Sequence, residues 1–451
     1  MNAQRSIERQ EEFERISALL ARTPEVNPFR SIGSEEFASR QKRVWKALQQ
    51  AGLDAGFVFS NEHYNGDVPY LGGNTNITIE QVGGVIGQHG FHIVAGLEGG
   101  YTVEQLSSRA GAPVHKVAAL QLAGEDYPIE AERFEDVFTA ACGTRPRRIA
   151  LLTPKDVLPT RMFEMLSQYA GSENLVEASD LYGKIKYEKS DAEVELTRDA
   201  TIISDAAMRT LLAVLKPGML ETQVAAWANF VIKELGGEEL GFDVMVNSNV
   251  ASRTIIGKAL NRRIEPGDMI HLGVSAKRDG LTSCIRRSVV ALEPGQSMPA
   301  THRYWLDLIF EAYQVCHGQF LRTAEENLPA CTIEQAIVDY LAGRNSDVTH
   351  RLGRPIDLAN QKPYSCVHNA GYTECLEFFG AVTLASKEPL GTQIINMLDV
   401  ALRGFGSKWD EVVIPSLDYV VVENTYAKSG NKAECLNDLP SDCQELVGRG
   451  F

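Results

Sequence analysis

The stretch that most restricts the fold runs from Ser190 to Gly218. S-D-A-E at 190–193 reads as a capping box, in which Ser190 and Glu193 exchange side-chain and backbone hydrogen bonds at a helix start. Val194, Ile202, Leu211, Leu212 and Leu215 supply an apolar stripe, and Pro217-Gly218 stops the helix. A second helix is expected over roughly 221–235, ending at Gly236-Gly237, followed by a β-rich stretch at 242–292. Helices at about 300–322 and 332–343 and a last β-rich part to about 424 complete this half.

Ahead of that block the pattern changes. Residues 1–22 read as a solvated amphipathic helix broken by Pro24 and Pro28. A helix begins at Ser34, with Phe37, Val44, Trp45 and Leu48 at helical spacing, and Gly52 ends it. Short strands are expected at 55–60, 82–87, 91–96 and 148–153, with helices between them, so the fold class is α/β. A chain of 451 residues exceeds one ordinary core. The expected division is a helical extension (1–33), an α/β domain (34–180) and a larger domain with a tail (181–451).

Composition excludes several classes. A net charge of −15 without a basic patch argues against nucleic acid as partner. The sequence holds no apolar run of eighteen residues, so no membrane span is expected. The N-terminus lacks an apolar signal core, which points to a cytoplasmic protein. Its eight cysteines include no C-x-x-C pair and are then expected to stay reduced.

Five stretches carry a resemblance. K-I-K-Y-E-K-S-D-A-E-V-E-L (184–196), L-K-P-G-M-L-E-T-Q-V-A (215–225), R-R-I-E-P-G-D-M-I-H-L (262–272) and E-P-L-G-T (388–392) resemble the catalytic half of the creatinase/prolidase/methionine aminopeptidase superfamily. Residues 34–60 resemble its creatinase-type N-terminal domain. The resemblance implies an α/β N-terminal domain, a pita-bread C-terminal domain and a homodimer.

The superfamily's metal ligands are Asp, Asp, His, Glu and Glu. Counted from the shared anchors, they fall on Gly273, Cys284, His368, Met397 and Leu417, so only the histidine remains. A hard cation needs carboxylate oxygens, and on this count no metal and no other cofactor is expected. Creatinase, a metal-free relative, is matched no better: its catalytic histidine falls on Ile256 and its substrate glutamates on Arg286 and Met397.

The expected chemistry is therefore metal-independent. Cys284 and His368, at positions that converge on one ion in the family, would form a thiol–imidazole pair. Arg286 and Arg287 would favour the thiolate and bind a small anionic substrate. Further substrate contacts are assigned to His271, Tyr372, Glu374 and Arg253, with Asn247 and Asn249 beside Arg253 and Glu377 near Glu374. Asn74, Thr75 and Asn76 lie in the stretch that, by the resemblance, reaches the other subunit's active site. Asp399 and Asp418 are read as structural.

The leading expectation is hydrolysis of a C–N bond, with a lyase left open. The alternatives are a catalytically silent pita-bread binding protein, and a soft-metal site of Cys284, His368 and Met397 that Cys366 and Cys375 could join.

Overall fold

The structure is a computed structural model. It describes residues 3–450 apart from 123–127, 129, 249–252, 254, 375–376, 378, 409 and 416. The chain divides into two compact units. One comprises 1–29, 189–370 and 381–451; the other comprises 30–188 together with 371–380.

The smaller unit is built on a six-stranded sheet of order β4-β3-β2-β1-β5-β6. Its strands are β1 (Ala55–Ser60), β2 (Val82–Gly87), β3 (Gly90–Ala95), β4 (Val114–Lys116), β5 (Ile149–Leu151) and β6 (Leu175–Glu177). β1 to β3 form an antiparallel meander, and β4, β5 and β6 join in parallel. Phe57, Phe59, Phe134, Phe138 and Leu166 fill the core on one face.

This unit also buries an ion cluster. Lys186 Nζ lies 2.7 Å from Asp67 Oδ1 and 3.0 Å from Glu377 Oε2. Thr153 Oγ1 donates to Asp67 Oδ2 at 2.6 Å, and Tyr182 donates to the Asp67 carbonyl. Glu377 belongs to the segment 371–380, so the cluster fastens that excursion to the body of its unit.

The larger unit carries an eight-stranded sheet, with core order β11-β12-β13-β10-β8-β7. The strands are β7 (Leu240–Ser248), β8 (Met269–Arg278), β9 (Leu281–Thr282), β10 (Ile285–Val290), β11 (Val367–Asn369), β12 (Gln393–Arg403), β13 (Tyr419–Ser429) and β14 (Lys432–Cys435). β9 pairs with β8 and β14 with β13.

The capping box forms as expected: Ser190 N donates to Glu193 Oε2 at 2.8 Å and Glu193 N to Ser190 Oγ at 3.3 Å. It starts the helix Asp191–Val214. Past that helix, Gly218 adopts φ +89°, a turn that glycine makes without steric cost. Ile203, Ala207, Leu211 and Leu212 of this helix pack with Ile270, Leu272 and Val274 of β8 and with Ile285 and Val289 of β10. Strand alternation then sends His271, Gly273, Cys284 and Arg286 to the opposite face.

The N-terminal segment departs from the solvated helix read from sequence. The helix Ala3–Leu20 buries Ile16 and Leu19 in this same core, and Glu12 accepts a 2.9 Å hydrogen bond from Trp227 Nε1. Enough apolar residues fall on one side of the charged helix to bury it.

Candidate metal centre

Cross-strand pairing fixes a row of side chains on the face away from the helices. Gly273 stands opposite Arg286, Arg286 opposite Glu423, and Glu423 opposite Asp399. The row lies between two apolar groups, Ala401, Tyr419 and Val421 on one side and Cys284, Met397, Ile395 and Ala427 on the other.

Arg286 is the centre of the row and only 4% exposed. Its Nε donates to His271 Nε2 at 2.9 Å. Its Nη1 meets Asp399 Oδ2 at 3.0 Å, Tyr364 Oη at 3.1 Å and Glu423 Oε2 at 3.4 Å. Its Nη2 donates to Tyr419 Oη at 2.7 Å and to the Ile255 carbonyl at 2.8 Å. A guanidinium has five N–H bonds, and acceptors engage all of them. Its role is thus internal, contrary to the expectation that it binds substrate.

Burial, with the guanidinium alongside, holds the His271 imidazole well below its usual range, so it is neutral and can accept at Nε2. The role expected for His271 in holding substrate gives way to orienting Arg286.

The carboxylates also face outward from the arginine. His368 Nε2 lies 3.5 Å from Glu423 Oε1, and Tyr364 donates to Asp399 Oδ1 at 3.0 Å. His368, Asp399 and Glu423 each offer a ligand atom, all within 4.8 Å of one another. Burial and the neighbouring Glu423 carboxylate push Asp399 up to about 7. Burial also acts upward on Glu423, but the hydrogen bond from His368 and the charge of Arg286 outweigh it and hold Glu423 low. The Cys284 thiol acts on Glu423 in the same direction.

One imidazole nitrogen and two carboxylates at this spacing fit a divalent cation, with the Cys284 sulfur close to Glu423.

This geometry corrects the sequence count. The site holds two carboxylates, Asp399 and Glu423, where counting found none. Met397 faces the same side as Asp399 but lies opposite His368, and Leu417 precedes β13 altogether. Register across a sheet is set by pairing, and a count along the chain slips with every loop insertion. A usable signal was present: a lone acid inside V-V-V-E-N-T and another inside N-M-L-D-V-A are costly to bury unless partnered.

Several other expected residues have local partners of their own. Arg287 points to the opposite face, where it donates to the carbonyls of Pro440, Leu439, Glu423 and its neighbour Arg286 and to Asn424 Oδ1. Alternation of adjacent strand residues excludes it from the row. Arg253 is ion-paired with Asp418. Asn247 donates to the Lys258 carbonyl at 3.0 Å. Cys284 is fully buried, which removes the solvent access that a nucleophile needs. Cys366 is buried beside the Cys316 thiol.

Tyr372, Glu374, Glu377, Asn74, Thr75 and Asn76 all belong to the smaller unit. There the Tyr372 hydroxyl accepts from Arg40 at 2.8 Å, Glu374 is buried, and Asn76 accepts from Thr78 at 2.9 Å. Asn74 is buried, and among the described residues neither of its amide atoms has a hydrogen-bond partner. Asn249 and Cys375 lie outside the described residues.

Comparison with known proteins fits this architecture. The structure superposes on the prolidase from Pyrococcus horikoshii OT3 with a TM-score of 0.67 at 17% identity, covering 91% of this chain and 100% of that one. It has a prolidase-like pita-bread fold. The X-Pro aminopeptidase from Thermotoga maritima MSB8 gives the same pita-bread match, with a TM-score of 0.67 at 16% identity over 89% of this chain and 98% of that one. Residues 195–379 match the model of Metallopeptidase family M24.

Among curated sequences, an uncharacterized peptidase of Bacillus subtilis is 30% identical over 143 residues, 32% of this chain and 40% of the relative. A Xaa-Pro dipeptidase of Pyrococcus horikoshii is 24% identical over 242 residues, 53% of this chain and 66% of the relative. The pita-bread chain thus spans less than two thirds of either curated relative. These matches overturn the expectation of a metal-independent enzyme for small anions, and with it the denial of metallopeptidase character. The physical reason is the pair of carboxylates at His368.

Proposed function

We propose that the chain is a hydrolase of the metallopeptidase kind, cleaving the C–N bond of a short peptide of the Xaa-Pro class. The carrying observation is the convergence of His368, Asp399 and Glu423 within 4.8 Å; His368 lies in the stretch 195–379 that matches a metallopeptidase model, and Asp399 and Glu423 follow it in the chain. The substrate class comes from the relatives, whose names give Xaa-Pro dipeptidase.

His368, Asp399 and Glu423 would hold a divalent cation, which when bound supplies Lewis acidity and an activated water. The residues of this chain do the rest. Glu423 stays ionised beside His368 and Arg286, so it offers oxygen at neutral pH. Asp399 Oδ1 is oriented by the hydrogen bond it accepts from Tyr364. Tyr364 and Tyr419 both accept from Arg286, and Tyr364 also holds Asp399.

Among the described residues no helix is long and apolar enough to cross a membrane. A homodimer and a cytoplasmic location, expected from sequence, belong to this proposal. Sedimentation velocity of the purified chain tests the first, and fractionation of the source cells the second.

The test is release of free amino acid from a panel of Xaa-Pro dipeptides after chelator treatment and reloading with Mn²⁺, Co²⁺ or Zn²⁺. Turnover that returns with metal and is lost in Glu423→Gln supports the reading. No turnover with any of the three metals overturns it.

A further inference from the structure

The proposed hydrolase reading leaves one feature unexplained: a buried guanidinium inside the acid cluster. We propose that Arg286 is a resident cation, holding the half of the pocket between Asp399 and Glu423 so that the site takes one divalent ion per chain and not two. This rests on the hydrolase reading and adds the stoichiometry of its centre.

Each carboxylate divides its oxygens. Asp399 Oδ2 and Glu423 Oε2 face Arg286 Nη1, at 3.0 and 3.4 Å. Glu423 Oε1 faces His368, and Asp399 Oδ1 faces the Tyr364 hydroxyl. The second pair of oxygens, with the imidazole, makes a place for one ion. An ion between the first pair would lie against a guanidinium of like sign in a buried setting, where water screens little. With no N–H left for a ligand, the guanidinium has no second task to leave for.

Two further residues shape the site for this cation. A Cβ added at Gly273 would lie 3.3 Å from Arg286 Cγ and 3.1 Å from Met245 Sδ, so the glycine leaves the cradle along which the arginine stem runs. Ile255 holds φ +61°, a strained conformation for a β-branched residue, and its carbonyl accepts from Arg286 Nη2 at 2.8 Å. A loop kept in strain to complete the shell of one arginine marks that shell as built.

The deciding experiment is Mn²⁺ titration of the chelator-stripped full chain by calorimetry, with native mass spectrometry counting bound ions. One ion is expected in the wild type and in Arg286→Lys, which keeps the charge. In Arg286→Gln a second ion is expected, or at least tenfold tighter binding of the first. Two ions in the wild type overturn the inference and leave the hydrolase reading standing, whatever the folding of the variants. A folded Arg286→Gln protein that binds as the wild type does also overturns it. No ion in the wild type but binding in Arg286→Gln overturns the one-ion inference and sinks the hydrolase reading with it. No ion in either protein overturns both.

Discussion

Two buried clusters in this chain share a composition and differ in use. In the smaller unit Lys186 sits between Asp67 and Glu377 with Tyr182 beside them; in the larger unit Arg286 sits between Asp399 and Glu423 with Tyr364 and Tyr419. Asp67 is closed on both oxygens, by Lys186 and by Thr153. Glu377 gives one oxygen to Lys186 and the other to the Thr373 backbone N–H. Asp399 and Glu423 turn one oxygen each away from their arginine, and Glu423 turns it to an imidazole. The difference teaches that two acids and one base make a clamp when ammonium, hydroxyl and backbone donors take every oxygen, and a ligand set when an outer oxygen meets an imidazole.

The hardest blow to the comparison is Lys186→Met. It leaves two buried carboxylates without their cation and should cost about 3–5 kcal/mol. Urea denaturation checks the magnitude, and an unchanged Mn²⁺ stoichiometry in the folded variant shows that the clamp has no part in ion binding. His368→Ala removes the imidazole from the outer side of the Arg286 cluster. Cation affinity should fall about 100-fold, or about 2.7 kcal/mol, read by calorimetry, while the far-ultraviolet circular dichroism stays that of the wild type.

Another buried acid, Asp205, has no ion-pair partner among the described residues. It accepts from Asn437 Nδ2 at 2.6 Å and from the Asp438 backbone at 2.8 Å. Burial raises it to about 7, against an ordinary value of 3.8. Between those values the unfolded chain has lost a proton that the fold retains, so stability should drop as pH rises from about 4 to 7, at most about 1.4 kcal/mol per pH unit. Asp205→Asn should flatten that slope in chemical denaturation at stepped pH. The mildest change is Ser190→Ala, which removes one half of the capping box and should cost about 1 kcal/mol. Thermal denaturation measures it, with ion stoichiometry again unchanged.

Much of the framework was legible. The helix expected between Ser190 and Pro217 runs Asp191–Val214, and the strand at 55–60 is Ala55–Ser60, because caps, stops and periodicity are local signals. The second long helix of the pair near 332 extends to Leu352, well beyond the expected 343, since its polar turns are carried by packing that no local pattern shows. The candidate site was half legible. His368 and Arg286 were singled out, but Glu423 and the role of Asp399 were missed, because their convergence depends on pairing between strands far apart in sequence. The excursion of 371–380 into the smaller unit was invisible for the same reason: a lone Glu377 gives no hint that Lys186 awaits it.

The pairing of Gly273 with Arg286 bears on how such a site can change over generations. An aspartate at 273 would press on the arginine stem, and a shortened residue at 286 would leave the ring nitrogen of His271 and the Ile255 carbonyl without their donor. Each single step is costly while the other residue stays as it is. Exchange of the guanidinium for acidic ligands thus needs both positions at once, and a lineage that has crossed to this arrangement has no easy one-step road back.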